Sequence, residues 1–203
     1  MQSGQSTQSV KISVADPSAI GLFGLAIVTL VASSEKLGIA HGVSLVIPWA
    51  LFLGAFAQLF AAFADSKLGN TFGATAFAAY GLFWLGIAMT WLIQAGVLGA
   101  ALQEAADIRG LGFAFAGYLI FTLFMTYGAA SIHKVLFFIF VLIDFLFAGL
   151  ALSALFGSRF GHWLAAFAEL FISLLSFYAC GAAVLNVHYG RTVLPVGKPL
   201  LKR

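Results

Sequence analysis

The sequence predicts an all-α membrane protein with six transmembrane helices in one bundle, and three observations carry that prediction. Of the 203 residues, 62% are hydrophobic and 8% are charged, whereas about a quarter of an ordinary soluble domain is charged. Apolar stretches of spanning length recur along the chain, separated by short segments that hold most of the charges. Six spans of about 20 residues would use about 120 residues, close to the whole apolar share. A soluble domain cannot cover so much apolar surface. The composition therefore excludes a water-soluble globular domain, a disordered chain and a nucleic-acid binder, and makes the lipid bilayer the partner of the outer surface.

The elements follow in order. Residues 1–15 read as a mobile polar N-terminal tail, without the apolar core and cleavage site of a signal peptide. Residues 16–187 hold the transmembrane domain. The first span runs from about Pro17 to Ser34, with Asp16 as a carboxylate N-cap before a first-turn proline, and Glu35, Lys36 and Gly38 end it. The second spans about Ser44–Phe63, with Pro48 in its first turn, and Asp65, Lys67 and Gly69 form the next turn. Asn70 caps a third span that reaches about Ile93. The segment Gln94–Arg109 has room for an interfacial helix. Span four covers about Gly110–Ala130, span five Val135–Phe156 and span six His162–Asn186. Residues 188–203 form a C-terminal tail in which Pro195 and Pro199 block helix.

Orientation follows from the Lys/Arg count. One side holds Lys11, Lys67, Lys134, Arg191, Lys198, Lys202 and Arg203, and the other holds Lys36, Arg109 and Arg159. Both termini are therefore placed in the cytoplasm, which puts the chain in the cell (inner) membrane. The C-terminal tail carries that bias. The lone Cys180 cannot form an intrachain disulfide.

No metal, cofactor or hydrolase motif is present, and no lysine sits at a helix centre where it would hold a Schiff base. The chain thus reads as neither an enzyme nor a metalloprotein, and needs no cofactor. Candidate chemistry rests on polar residues inside the spans. Asp144 and Glu169 lie deep in spans five and six, where a charge costs about 2.5–3.5 kcal/mol on insertion scales. They are candidates for a proton relay or, alternatively, for hydrogen bonds between helices of an oligomer. Glu169, Ser173, Ser176 and Cys180 share one face, with His162 below, and such a stripe faces a pathway or a subunit interface. Gly54, Gln58 and Asp65 share a face of span two. Gln58 there offers amide donors to a small anion or an interhelical hydrogen bond. Gly73, Phe77, Tyr80 and Trp84 line up on span three as packing or as a gate.

The stretches GNTFGATAFAAYGLFWL (Gly69–Leu85), GAFAQLFAA (Gly54–Ala62), FTLFM (Phe121–Met125) and GRTVLPVG (Gly190–Gly197) closely resemble the acetate uptake transporter family, the GPR1/FUN34/YaaH group or succinate–acetate permeases. DPSAIGLFGLA (Asp16–Ala26) resembles its signature NPAPLGL. The resemblance implies a homohexamer with a pathway in each protomer. It implies transport of acetate and other short carboxylates, for some members succinate, by proton coupling or in a channel-like way. It also implies a hydrophobic constriction formed here by Leu25, Tyr80 and Ile143. The departures are specific: Asp16 replaces the signature asparagine, Ser18 and Ala19 replace Ala-Pro, Leu25 replaces an aromatic residue, and Glu169 stands where a small residue is expected.

A short carboxylic acid with a pKa near ~4.3 is about 99.8% ionised at pH 7, and a dry apolar ring disfavours that anion. Such a ring favours the neutral acid or an anion held by donors on either side. The substrate-contacting candidates are Gln58, Thr29, Asp16, and Asn70 and Thr71 at the third helix N-terminus, where free N–H groups attract anions. A passive channel for small neutral or anionic solutes and a non-transporting sensor or scaffold are the alternatives.

Overall fold

The structure is a computed structural model that describes residues 15–202. The N-terminal tail before Ala15, with Lys11, and the terminal Arg203 lie outside the described residues. Among the described residues, six helices are long and apolar enough to cross a membrane: α1 (Ser18–Lys36), α2 (Ile47–Lys67), α3 (Thr71–Gln94), α5 (Ile108–Ala129), α6 (Lys134–Phe156) and α7 (Arg159–Tyr189). A short α4 (Ala100–Glu104) stands in the connection where room for an interfacial helix is expected.

Local chemistry sets the helix ends. Asn70 Oδ1 accepts from Gly73 N–H at 3.2 Å, Ser158 Oγ from Gly161 N–H at 3.1 Å, and Asp107 Oδ1 from Arg109 N–H at 2.9 Å, so each of these helix starts has one free donor satisfied. At α1 the proline itself stands in the cap position, and Asp16 Oδ1 accepts from Ser18 N–H at 2.9 Å. Glu35 and Lys36, and likewise Asp65 and Lys67, extend their helices by up to a turn instead of forming the turn that follows. The reason is pairing: Lys36 and Asp65 both find partners inside the bundle.

Nothing in the sequence marks the π-helical stretch Ala50–Ala57 within α2. Its wider turns re-aim the residues around it. Gly54 packs against Trp84, while Gln58 and Asp65 turn to a cavity inside the bundle. The face predicted for Gly54, Gln58 and Asp65 therefore splits in two.

The helices form a ring in which α2 packs on α1 and α3, α7 on α1 and α6, and α6 on α5. Hydrogen bonds from Tyr118 Oη to Ala79 O (2.9 Å) and between Tyr80 and Thr122 (3.0 Å) tie α5 back to α3. The α6–α7 contact is a glycine contact. A Cβ on Gly149 would stand 2.6 Å from Gly161 O, and one on Gly161 would stand 2.7 Å from Gly149 O. In lipid, such backbone approach supplies the packing that the hydrophobic effect supplies in water. Outward, α2 exposes Phe52, Phe56, Phe60 and Phe63, a surface suited to acyl chains or a neighbouring subunit.

The C-terminal segment is a strap over one end of the bundle. Asn186 Oδ1 accepts from Val193 and Leu194 N–H at 2.7 and 3.0 Å. Val135 N–H donates to Val196 O at 3.1 Å, and Leu200 and Leu201 N–H donate to Ala130 O. A segment kept extended by its prolines leaves backbone groups free to pair across the bundle end.

Candidate functional site

Three cavities lie end to end through the ring. The first vestibule has a volume of about 140 Å³ and is bounded by the start of α1, the end of α2, the start of α3 and α6, with Gln58, Asp65, Asn70, Phe77 and His133 among its lining. The second holds about 240 Å³ at the opposite end, with Lys36, Glu35, Glu169, Trp91 and Gln94 in its wall. Between them is a space of only about 20 Å³, little more than the 10–15 Å³ a single water needs. Leu25, Tyr80 and Ile143 line both this neck and the first vestibule. Phe83 and Trp84 line both the neck and the second vestibule. In this conformation the two vestibules are separated by side chains alone.

The predicted stripe on α3 faces this axis along its length: Gly73, Phe77 and Tyr80 line the first vestibule and Trp84 the neck. Tyr80 is 5% exposed and its ring stacks near Phe147 at 6.3 Å, with Phe121 and Phe140 edge-on or tilted at 6.0 Å. Its hydroxyl lies 3.0 Å from Thr122 Oγ1, and the Thr122 hydroxyl in turn donates to Tyr118 O at 2.8 Å. A hydroxyl has one proton. Thr122 has spent its own, so the Tyr80 proton is committed to Thr122.

The other expected donors are similarly occupied. Thr29 Oγ1 donates to Leu25 O at 2.7 Å within its own helix and lines the neck. Gln58 Nε2 donates to Gly54 O at 2.8 Å. A carbonyl can only accept, which fixes the amide orientation and leaves Gln58 Oε1 buried without a partner. Asn70 Nδ2 donates to Asp65 Oδ1 at 2.8 Å, while Asp65 Oδ2 is buried without a partner. Thr71 and Asp16 are exposed, and neither borders the first vestibule, whose α1 lining begins at Ser18. Each amide nitrogen keeps a second N–H, but Gly54 O and the Asp65 carboxylate take one hydrogen each, and the unpaired Gln58 Oε1 and Asp65 Oδ2 add acceptors where donors are expected.

Glu169 and Asp144 part company. Glu169, 2% exposed, forms an ion pair with Lys36 at 2.9 Å. The stripe around it faces α1: Ser173 Oγ donates to Ala26 O at 2.7 Å, and His162 Nε2 lies 2.9 Å from Lys36 O. Of the stripe, Glu169 borders the second vestibule, while its polar contacts and those of Ser173 and His162 are made to α1 of the same chain. Asp144 accepts from Thr126 Oγ1 at 2.7 Å between α6 and α5, keeps Oδ1 without a partner, and is absent from the walls of these three cavities.

Two groups at the first vestibule escape a reading for site residues. Asp65 sits among turn residues in the sequence, although its spacing of seven from Gln58 already puts both on one helical face. His133 looks like an interfacial histidine, yet its Nδ1 accepts from Leu136 N–H at 3.0 Å, capping α6, and its ring borders the cavity. Burial holds His133 below the ordinary histidine pKa, because desolvation penalises the charged ring.

Comparison with known proteins matches this architecture. The model of the GPR1/FUN34/yaaH family covers residues 1–198. The succinate-acetate/proton symporter SatP of Escherichia coli (strain K12) is 34% identical over 91% of this chain and 96% of its own. Acetate permease A of Emericella nidulans is 32% identical over 66% of this chain and 47% of its own. The solved structure of the bacterial acetate channel SatP superposes with a TM-score of 0.83 at 34% identity, over 91% of this chain and 100% of that one. A match along nearly the whole sequence, on the same six-helix ring, places the chain in the GPR1/FUN34/yaaH family.

Proposed function

We propose that the chain carries acetate and other short carboxylates across the membrane, electroneutrally with a proton, through the neck of Leu25, Tyr80 and Ile143. The observation that carries this reading is the end-to-end line of vestibule, neck and vestibule, with Tyr80 at the junction. The names of two relatives, a succinate-acetate/proton symporter and an acetate permease, support the substrate class.

The mechanism follows from what the neck offers. Its walls are apolar and the nearby Tyr80 and Thr29 protons are already bonded, so an anion there would lose its hydration without replacement. The neutral acid loses far less. Each acid molecule that crosses moves one proton with it, which makes the transport proton-coupled with no separate proton path. The neck is too small for the substrate at rest, so the Tyr80 ring moves aside during passage.

The same reading covers assembly and orientation. The phenylalanine face of α2 supports a homohexamer with one pathway per protomer, measured as particle mass in detergent. The Lys/Arg bias supports cytoplasmic termini, read from the protease accessibility of tags in inverted vesicles.

Flux of labelled acetate into proteoliposomes, with and without a pH gradient, tests the function. Saturable, protein-dependent accumulation that needs the gradient is the expected result, after subtraction of acetic acid leakage through protein-free vesicles. Equilibration without accumulation would assign a channel-like path, and absence of any protein-dependent carboxylate flux would bring a sensor or scaffold forward. Tyr80→Ala widens the neck and admits larger carboxylates. An unchanged rate and size cutoff in that variant would remove Tyr80 from the gate.

A further inference from the structure

We infer that Asp65 is the proton-exchanging group of the first vestibule, which converts the incoming carboxylate to the neutral acid before the neck, and that Gln58 receives that acid. This rests on the transport reading above and adds where the proton is transferred.

Two buried acceptors of one cavity carry the argument. Asp65 is 2% and Gln58 0% exposed. Both line the first vestibule, and each has one oxygen, Oδ2 and Oε1, without a partner among the described residues. Buried polar atoms are nearly always paired, so two orphans in one cavity wall mark a place where something else supplies a hydrogen. Among the described residues no lysine or arginine lines this cavity, so a carboxylate that enters beside Asp65 has no cation to pair with and is held only by sharing the proton on Oδ2. Once that proton has moved to the substrate, the neutral acid carries an O–H for the next acceptor, Gln58 Oε1.

The order of events follows from position. Seven residues of helix separate the two side chains, about 10 Å along the axis, and Asp65 lies nearer the mouth. At Asp65 the proton on Oδ2 passes to the substrate carboxylate: the Asp65 O–H bond breaks, a substrate O–H bond forms, and the aspartate is left ionised, to be reprotonated from the solvent at the mouth. Asn70 Nδ2 remains on Oδ1 throughout. The neutral acid then donates its O–H to Gln58 Oε1 in the same cavity, which shares Leu25, Tyr80 and Ile143 with the neck. Gly73 leaves room for this arrangement, because a Cβ there would collide with the Asp65 carboxylate.

The groups around Asp65 are few. Asp16 at the start of α1 is the charged neighbour that acts on it. Among the described residues, His133, before α6, and Tyr80, on α3, are the other titratable groups of the cavity wall. Lys67, on the same helix, rides over the exposed Phe63 ring at 5.0 Å.

The test is exchange of labelled acetate, and of the stronger acid formate, across proteoliposomes held at equal pH on both faces, with protein-free leakage subtracted. Where the protein protonates the substrate, the pH at which exchange falls by half belongs to the protein and is common to both acids. Where the protein only passes acid protonated in bulk, each midpoint follows that acid's own pKa. The expected result is a common midpoint in the unmodified protein, midpoints separated by the difference in acid pKa in Asp65→Asn, and a common midpoint restored in Asp65→Glu. A common midpoint that survives Asp65→Asn, or separated midpoints in the unmodified protein, overturns the inference. Loss of the common midpoint in His133→Asn overturns it as well, in favour of the histidine. If Asp65→Asn fails to fold, Gln58→Leu decides: a half-saturating acetate concentration raised about fivefold, the worth of one hydrogen bond, supports the two-station path, and an unchanged value refutes it. Absence of protein-dependent exchange in the unmodified protein sinks the transport reading itself, a failure distinct from any shift of midpoint.

Discussion

The two vestibules each contain a carboxylate that is 2% exposed, and the two carboxylates are handled in opposite ways. In the second vestibule, Glu169 is met by the Lys36 ammonium at 2.9 Å. In the first, Asp65 is met on one oxygen by the neutral amide of Asn70, and the other oxygen has no partner. Both border a cavity, but the paired carboxylate also joins α7 to α1. Burial alone therefore does not separate a carboxylate closed by an ion pair from one left half open; the charge and number of its partners do.

The largest expected effect breaks the paired side. Lys36→Met strands a buried Glu169, and removing one partner of a buried pair costs about 3–5 kcal/mol. Thermal unfolding in detergent should show that loss, and Lys36→Met with Glu169→Leu should recover most of it, since two apolar groups leave no orphan charge. Asp65→Asn, which keeps the Asn70 contact, should cost far less by the same measurement. Equal losses at the two positions would erase the contrast.

A smaller effect belongs to His133. Burial holds its folded-state pKa below the ordinary histidine value of 6.5, so the unfolded chain binds this proton more readily. Stability contributed by the neutral ring is complete above pH 6.5 and is lost as pH falls from there towards the lowered folded value. Unfolding temperature should decline across that window, and His133→Asn should flatten the decline while its side-chain oxygen still caps α6. An unchanged slope in the variant would assign the acid sensitivity elsewhere.

The smallest effect is at Asp107, fully exposed before α5, whose carboxylate the Arg109 guanidinium holds down at about 2. A depressed carboxylate stabilises the fold above its unfolded pKa, and that contribution fades as pH falls towards 2. Exposed pairs are screened and contribute little, so Asp107→Asn should leave the unfolding temperature at pH 7 almost unchanged. A large drop would show that a surface pair outside the vestibules matters as much as one within them.

Much of the fold was legible because lipid makes spans long, apolar and sharply ended. The caps at Asn70 and the turns at Gly38, Gly69 and Gly157 are local chemistry, and all three glycines adopt positive φ. Tyr80, Leu25 and Ile143 were legible through the family resemblance, and the i, i+4, i+7, i+11 spacing alone put Tyr80 on a face with Gly73, Phe77 and Trp84. The partners were not legible. Lys36 and Glu169 are 133 positions apart, and no local rule links them. Gln58, Thr29 and Tyr80 line the cavities, but the hydroxyl hydrogens of Thr29 and Tyr80 and one amide hydrogen of Gln58 are bonded inside the protein, which a residue list cannot reveal.

The sequence by itself determined that this chain lives in a membrane as six helices, where those helices begin and end to within about a turn, and which residues share one face of α3. These depend on hydropathy, period and capping, all of which act over a few neighbouring residues. Tertiary structure decided the π-helical re-aiming of α2, the folding of the C-terminal strap onto Ala130 and Val135, and above all which buried carboxylate is neutralised and which is left half open. Those depend on what arrives from the far side of the ring, and a hydrogen bond or an ion pair is set by the few ångströms between two groups, however far apart they are in the chain.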